Sequence, residues 1–424
     1  MVGVKEIPKG YKQTEVGVIP EDWEVRDLSS FCEMVSSKRI FESDYVFSGI
    51  PFYRGTEISL LMDGKNIEEP YYISKDRYEG ITKQFGAPQK DEILVTAVGT
   101  LANVYLIPND KEFYFKDGNL IWLKRIKGVD VKYFAIQIAN HKNDIINNAI
   151  GSSQKALTII VLKNQKIPIP PTKEEQTAIA TVLADTDELK AKLEELIKKK
   201  RNIKQGTMQE LLTGKKRLPG FNGEWEVKKL GEECELITKG TTPTSIGENF
   251  QSSGISFIKV ESLEENGKII KSKLAFISSH TNRLLSRSQL KANDILVSIA
   301  GALGRVTIID KNILPANINQ ALAIARLKNT LTFDTKFVFY FLKSERIGRL
   351  IEAISVQGAQ PNLSLQNIHD LPINYPRYDE QSAIAQVLSD MDTEIEELEQ
   401  KLDKYKAIKQ GMMQELLTGK TRLA

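Results

Sequence analysis

Thr418 to Thr421 reads TGKT, the tail of a loop in which backbone NH groups cradle phosphate while a lysine and a hydroxyl reach the nucleotide and its magnesium. That chemistry needs a glycine five residues before Gly419, where this chain has Gln414. The segment also follows a helical stretch rather than a strand, and its counterpart TGKK (Thr213 to Lys216) lacks the hydroxyl. The phosphate-loop reading is rejected. The three histidines, His141, His280 and His369, have neither HxH nor HExxH spacing, which argues against a metal site or histidine catalysis. No G-x-S-x-G elbow and no dinucleotide-type glycine loop occurs, and the NPPY/DPPY tetrapeptide of adenine-N6 methyl transfer is missing. Cys32 and Cys234 are the only cysteines, too far apart in sequence for a CxxC redox pair or a zinc cluster, and read as small buried residues. Acidic runs such as EIEELEQ (Glu394 to Gln400) read as solvated helix faces. A chain of 424 residues with no catalytic constellation is read as a binder.

The residue types that remain suit recognition of a polar, anionic partner. PFYRGTEI places Tyr53 and Arg54 at a strand end beside a glycine. ITKQFGAPQK brings Lys83, Gln84 and Lys90; KDGN brings Lys116 and Asn119; GSSQK brings Gln154 and Lys155. Further along, ITKGTTPT offers Lys239, Thr241 and Thr242, AGALGRV offers Arg305, PANINQ offers Asn317, Asn319 and Gln320, and VQGAQPN offers Gln357, Gln360 and Asn362. Arg, Lys, Asn and Gln read base edges in pairs of hydrogen bonds, whereas Lys, Ser, Thr and backbone NH groups hold phosphates. Each residue alone could equally be an ordinary loop or cap residue. The basic run KKKR (Lys198 to Arg201) reads as a solvated helix face.

The frame that must position these residues is duplicated. IKQGTMQELLTGKKRL (Ile203 to Leu218) returns as IKQGMMQELLTGKTRL (Ile408 to Leu423), fourteen of sixteen positions identical at an offset of 205 residues. EEQTAIATVLAD returns as DEQSAIAQVLSD, DEILVTAVGTLANVYLI as NDILVSIAGALGRVTII, and the Trp motif EDWEV as GEWEV. Repeats of this kind set the architecture before any other signal. The shared positions lie in the frame and the differing ones in the bodies, as expected of two readers of two different things.

The helices carry a coiled-coil spacing. In the second half Ile384, Leu388, Met391, Ile395, Leu398, Leu402, Tyr405 and Ile408 alternate by four and three. In the first half Ile179, Leu183, Leu189, Leu193, Leu196 and Ile203 do so less cleanly. The spacing does not fix whether the pair runs parallel or antiparallel; a pseudo-twofold relation of the halves would make it antiparallel, which is the expectation. The bodies carry short β-branched runs (EILVTAV, VYLIP, LIWLKR, DILVSIA, RVTIID, ALAIARL) and two stretches of helical spacing, VKYFAIQIANHKNDIINNAI and TKFVFYFLKSERIGRLIEAI. The expected fold class is α+β: two similar mixed α/β bodies separated by two long helices in an antiparallel coiled coil, with an internal pseudo-twofold repeat. Mean hydropathy of −0.28 and the lack of any apolar run of spanning length or signal-peptide stretch imply a cytoplasmic protein with no membrane partner. A net charge of +3 neither demands nor excludes nucleic acid.

Two variable bodies, each followed by EQxAIAxVL and KQGxMQELLTGK, resemble the specificity subunit of type I restriction–modification systems; GVIPEDWEV and GEWEVKKL match the start of that family's target recognition domains. The resemblance implies target recognition domains at 1–172 and 215–376 and coiled-coil helices at 173–214 and 377–424. It implies double-stranded DNA with a bipartite target, two copies of a modification (methyltransferase) subunit and, where present, restriction subunits (endonuclease and translocase). This chain is then expected to be non-catalytic and to bind no cofactor, with S-adenosylmethionine, ATP and magnesium belonging to partner subunits. Candidates for docking the modification subunits are Gln205, Gln209, Lys215 and Lys216 in one copy and Gln410, Gln414, Lys420 and Arg422 in the other. A methyltransferase-only complex would use a similar chain. A coiled-coil scaffold that never touches DNA is the reading from a different class, disfavoured by divergent loops rich in Arg, Asn and Gln, and a nuclease has only scattered carboxylates behind it.

Overall fold

The computed structural model describes residues 7–62, 64–151, 155–328, 332–355 and 362–423. The chain divides into two compact units: residues 1–193 with 401–424, and residues 194–400. The first unit is therefore closed by the last residues of the chain.

Each unit is built on a four-stranded antiparallel sheet of the same order. In the first unit it runs Glu33–Val35, Leu120–Lys124, Ile93–Thr96, Val104–Leu106; in the second, Cys234–Lys239, Leu322–Leu327, Ile295–Ser298, Val306–Ile308. Residues of the two central strands in each sheet are buried on both faces, so they read as continuous apolar runs such as LIWL and LAIA rather than alternating ones. One face packs on the body helices predicted from spacing, which form at Val131–Asn140 and Lys142–Asn147 in the first unit and at Thr335–Leu342 and Glu345–Ser355 in the second. Asp130 and Asp334 cap the first helix of each pair by accepting from Tyr133 N and Phe337 N, both at 2.9 Å. A second, mixed sheet sits above: Ile50–Tyr53 between Tyr71–Ile73 and Tyr114–Phe115 in one unit, Ile255–Ile258 between Ala275–Ile277 and Ala316–Ile318 in the other.

The long helices span Lys173–Leu211 and Tyr378–Leu416, each about 58 Å at 1.5 Å per residue. Their pairing is antiparallel in both units. Within the first, Lys409 reaches Asp187 at 2.5 Å and Thr186 lies against Met412. Within the second, Arg201 reaches Glu399 and Lys200 reaches Glu394, and Lys204 bonds Asp392. The seam expected in the first helix needs correcting. From Leu193 it steps by four to the buried Ile197 rather than by three to Leu196, and Leu196 and Ile203 are exposed. Lys200 and Lys204 then fall on the seam, which is tolerable because each finds a carboxylate on the facing helix.

The repeated motifs close each unit on itself. Leu211 and Leu212 enter the core of the second unit, Leu416 and Leu417 that of the first. The glycine that follows, Gly214 at φ +69° or Gly419 at φ +70°, takes the left-handed conformation that ends a helix. A Cβ there would stand 3.3 Å from the Trp225 ring, or 3.1 Å from Trp23 and 2.5 Å from Pro20. Two residues beyond each LTGK lysine-containing turn an arginine locks the closure. Arg217 grips Glu380 with both Nε and Nη2 at 2.5 Å and lies over Trp225; Arg422 donates to Glu175 at 2.5 and 2.8 Å, to Asp22 at 2.9 Å, and lies over Trp23. The neighbouring glutamine ties the helix start to the body: Gln176 accepts from Asp130 N and donates to Pro170 O, and Gln381 accepts from Asp334 N and donates to Pro376 O. The EQ and LTGK repeats thus meet one another, the end of one copy with the start of the other.

Candidate functional site

The register of the core sheet decides which loops can meet. In the first unit Val35 pairs with Trp122 and Met34 with Leu123, so the chain leaving one strand at Ser36 runs beside the chain entering the other at Asn119. Arg39 Nε donates to Asp117 Oδ2 at 2.9 Å across this junction, and Gly118 N donates to Ser36 Oγ at 3.3 Å. Together the two loops wall a concavity of about 600 Å³ lined by Arg39, Phe41, Tyr45, Lys116, Asp117 and Asn119. Tyr45 leads on to Tyr71, the ring centroids 5.1 Å apart, and the Arg54 guanidinium lies 4.4 Å above Tyr71. Arg54 is held there by the buried Glu57, which accepts from Nη2 at 2.6 Å. Its planar face is covered and its donors are partly used, so it presents a fixed edge rather than a searching side chain.

The second unit brings the same two loops together with other chemistry. Lys239 pairs with Ala323 at the ends of the corresponding strands. Gly240 then passes so close to the opposite loop that a Cβ would lie 1.9 Å from Ile318 O. Beyond it the Thr242 hydroxyl bonds Gln320 Oε1, and Arg287 donates to Lys239 O at 3.3 Å and Thr241 Oγ1 at 3.5 Å. Lys239, Gln320 and Arg287 are exposed, and Thr241, Thr242 and Asn319 are half-buried beside them. Both units therefore place a loop from the first core strand against a loop from the last.

The remaining candidates scatter. Lys83 and Gln84 are exposed in the last turn of the helix Lys75–Phe85, near Phe85, whose ring carries the Lys38 ammonium at 5.1 Å. Lys90 is exposed away from that turn, and Lys155 donates to Ile146 O at 3.3 Å. Tyr53 is half-buried against Phe113. Asn362 is exposed, while Gln154, Gln357 and Gln360 lie outside the described residues. Two candidates turn inward. Asn317 has 0% exposure; its amide donates to Asn282 Oδ1 and Leu285 O and its carbonyl accepts from Ser288, so it braces the loop beneath the surface. Arg305 donates to Leu263 O at 2.6 Å and ties down another loop.

Among the docking candidates Gln205, Gln209, Lys215, Lys216, Gln410, Gln414 and Lys420 are exposed. Gln209 bonds Glu345, and Lys216 and Lys420 make only loose pairs with Glu210 and Glu415 at 3.5 and 3.9 Å. Arg422 is exposed as well, but its guanidinium is committed to Glu175 and Asp22 within the chain. Arg39, Phe41, Tyr45, Tyr71 and Arg287 were missed by sequence reasoning; the basic–aromatic run SKRIF was the one local hint for the first two. Burial pushes the thiols of Cys32 and Cys234 up to about 12, so neither is a nucleophile. Among the described residues no group of three or more His, Cys, Asp or Glu side chains could hold a metal ion, and no helix is long and apolar enough to cross a membrane.

A family model described as "Type I restriction modification DNA specificity domain" matches this chain twice, at residues 20–205 and 222–407. The chain is 28% identical to a putative type I restriction enzyme MjaX specificity subunit of Methanocaldococcus jannaschii, the match covering 98% of this chain and 97% of the other. It is 23% identical to the type I restriction enzyme EcoBI specificity subunit of Escherichia coli, over 68% of this chain and 64% of that one. The fold is similar to the crystal structure of a type I restriction-modification system S subunit from M. genitalium, with a TM-score of 0.60 at 17% identity, covering 93% of this chain and 96% of the other.

Proposed function

The chain belongs to the type I restriction modification DNA specificity family, and from that membership we propose that it reads duplex DNA for a restriction–modification complex. Each body, 1–172 and 215–376, recognises one half of a bipartite site. The helices, 173–214 and 377–424, set the interval between the halves and present the exposed glutamines and lysines to two copies of a modification subunit. Methyl transfer from S-adenosylmethionine, and any ATP- and magnesium-dependent translocation and cleavage, lie with the partner subunits, and the chain itself is a non-catalytic cytoplasmic component.

One observation carries this reading. The same two loops meet in both units, yet one junction holds Arg39, Lys116, Asp117 and Asn119 and the other Lys239, Thr242, Arg287 and Gln320. Such side chains can pair with base edges or hold phosphates, and a change of side chain on an unchanged frame changes the sequence read. A methyltransferase-only complex uses the chain in the same way. The test is selection from a pool of random duplexes by the chain assembled with its modification subunit. Enrichment of a split motif is expected; a complex that enriches no sequence would point to a scaffold.

A further inference from the structure

Phe47 is the most exposed large apolar side chain among the described residues, at 106% of its reference area, and no ring contact among those residues includes it. It stands in the connection VFSG, which joins Tyr45–Val46 to Ile50–Tyr53 past the intervening strand Tyr71–Ile73. The second unit builds that connection again. Gln251 bridges Phe276 as Val46 pairs with Tyr72, and the chain then runs QSSG into Ile255–Ile258. Gly49 at φ +155° and Gly254 at φ +137° hold the two crossings, a Cβ being blocked at 2.3 Å by Ile73 O and at 2.6 Å by Ile277 O. The backbone at the apex is thus set by the glycine, and the residue two before it is left free: Phe47 in one unit, Ser252 in the other.

Folding does not require Phe47, since it buries nothing and its counterpart is a serine. Its neighbours along the chain point to the occupant. Tyr45, two residues earlier, and Phe41, also exposed at 60%, line the concavity shared with Arg39, Lys116 and Asn119. An aromatic ring cannot read base edges by hydrogen bonds. It can insert at a base step or stack on an unstacked base, as apolar wedges do in proteins that bend duplexes. We propose that Phe47 is a stacking residue inserted at one base step of the half-site read by the first unit, and that the second unit, with Ser252, reads its half-site with no such wedge. This rests on the reading that the first unit contacts DNA.

The experiment uses the full chain with its modification subunits and the duplex obtained by selection, scanned with 2-aminopurine at steps other than the methylated adenine. The wild-type complex is expected to raise the fluorescence severalfold at one step in one half-site only. Phe47→Ala should abolish that rise while leaving the salt dependence of binding unchanged, and Phe47→Trp should restore it. An undiminished signal with Phe47→Ala, on a complex that still selects its split motif, overturns the wedge and leaves the reading of DNA standing. A wild-type complex that selects no motif overturns both. Loss of bound modification subunit on Phe47→Ala would place the ring against protein and also overturns the proposal.

Discussion

Arg39 reaching Asp117 and Thr242 reaching Gln320 occupy corresponding junctions in the two units, yet one is an ion pair beside an aromatic wall and the other a neutral hydroxyl–amide contact. Around them the frame barely differs. Strand order, helix caps, the glutamine ties and the arginine locks are all built twice. The constraint is of two kinds. Where backbone passes backbone, as at Gly49, Gly240 and Gly254, almost any substitution collides; where a side chain ends in solvent, nothing in the fold chooses it. The fold thereby constrains the shared parts and leaves the free side chains available for recognition.

The strongest test exchanges residues 30–165 for the body of another family member. One half-site should be replaced and the other kept, and affinity for the original site should fall toward non-specific binding, by roughly a thousandfold or more. If both half-sites change, the units are not independent readers. Next in size, Glu380→Ala leaves Arg217 with only Gly223 O beside the half-buried Trp225, and Glu175→Ala leaves Arg422 with Asp22 beside the buried Trp23. Each should cost about 1–2 kcal/mol, below the figure for a fully buried pair because water and a second partner still reach each arginine, as measured by urea denaturation. A large loss in one and none in the other would break the equivalence of the two closures. Within the junctions, Arg39→Ala and Thr242→Ala should each relax the sequence preference in a different half-site at a cost of about 1–3 kcal/mol. Lys116→Ala and Lys239→Ala should weaken all sequences alike and lower the salt slope by about 1 each if they hold phosphates.

The smallest effect concerns a cation that only the second unit carries. Lys343 occupies the place of Ala139, and burial lowers its pKa from the usual 10.5 to about 8, with Lys204 adding to the shift and Asp392 opposing it. Its ammonium lies 5.0 Å from the centre of the Phe339 ring and donates to Asn266 O at 2.5 Å. Between about pH 8 and 10.5 the unfolded chain binds this proton and the folded one does not, so stability from this group rises with pH across that window. Below pH 8 the folded protein bears the cost of this half-buried charge. Lys343→Met should therefore raise the urea midpoint at pH 7, and its advantage over wild type should shrink from pH 8 to 10.5. Parallel curves for wild type and variant would mean the ammonium is solvated.

The long helices, the core strands and the body helices were legible because periodicity and β-branched runs are local signals. The seam past Leu193 was not: spacings of three and four both fit, and the choice fell to Lys200 and Lys204 finding carboxylates across the pair. Arg39 and Asp117 lie 78 positions apart, so no local pattern could join them. Asn317 looked like a contact residue because its type suits bases, and only the buried network around it assigns it otherwise. Arg422 reads as a docking residue for the same reason, and a basic residue near an exposed turn gives no hint of its bond to Glu175, 247 positions away.

The first unit is completed by Leu416, Leu417, Gly419 and Arg422. On the ribosome this reverses the usual order, in which the N-terminal domain folds while the rest is still being made. Residues 194–400 form a continuous stretch that can fold as soon as it has left the exit tunnel. The earlier body must wait, with Trp23 and its apolar core uncovered, until residues 401–423 have followed. A released chain ending before residue 416 should accordingly show a protected second unit and a protease-sensitive first one.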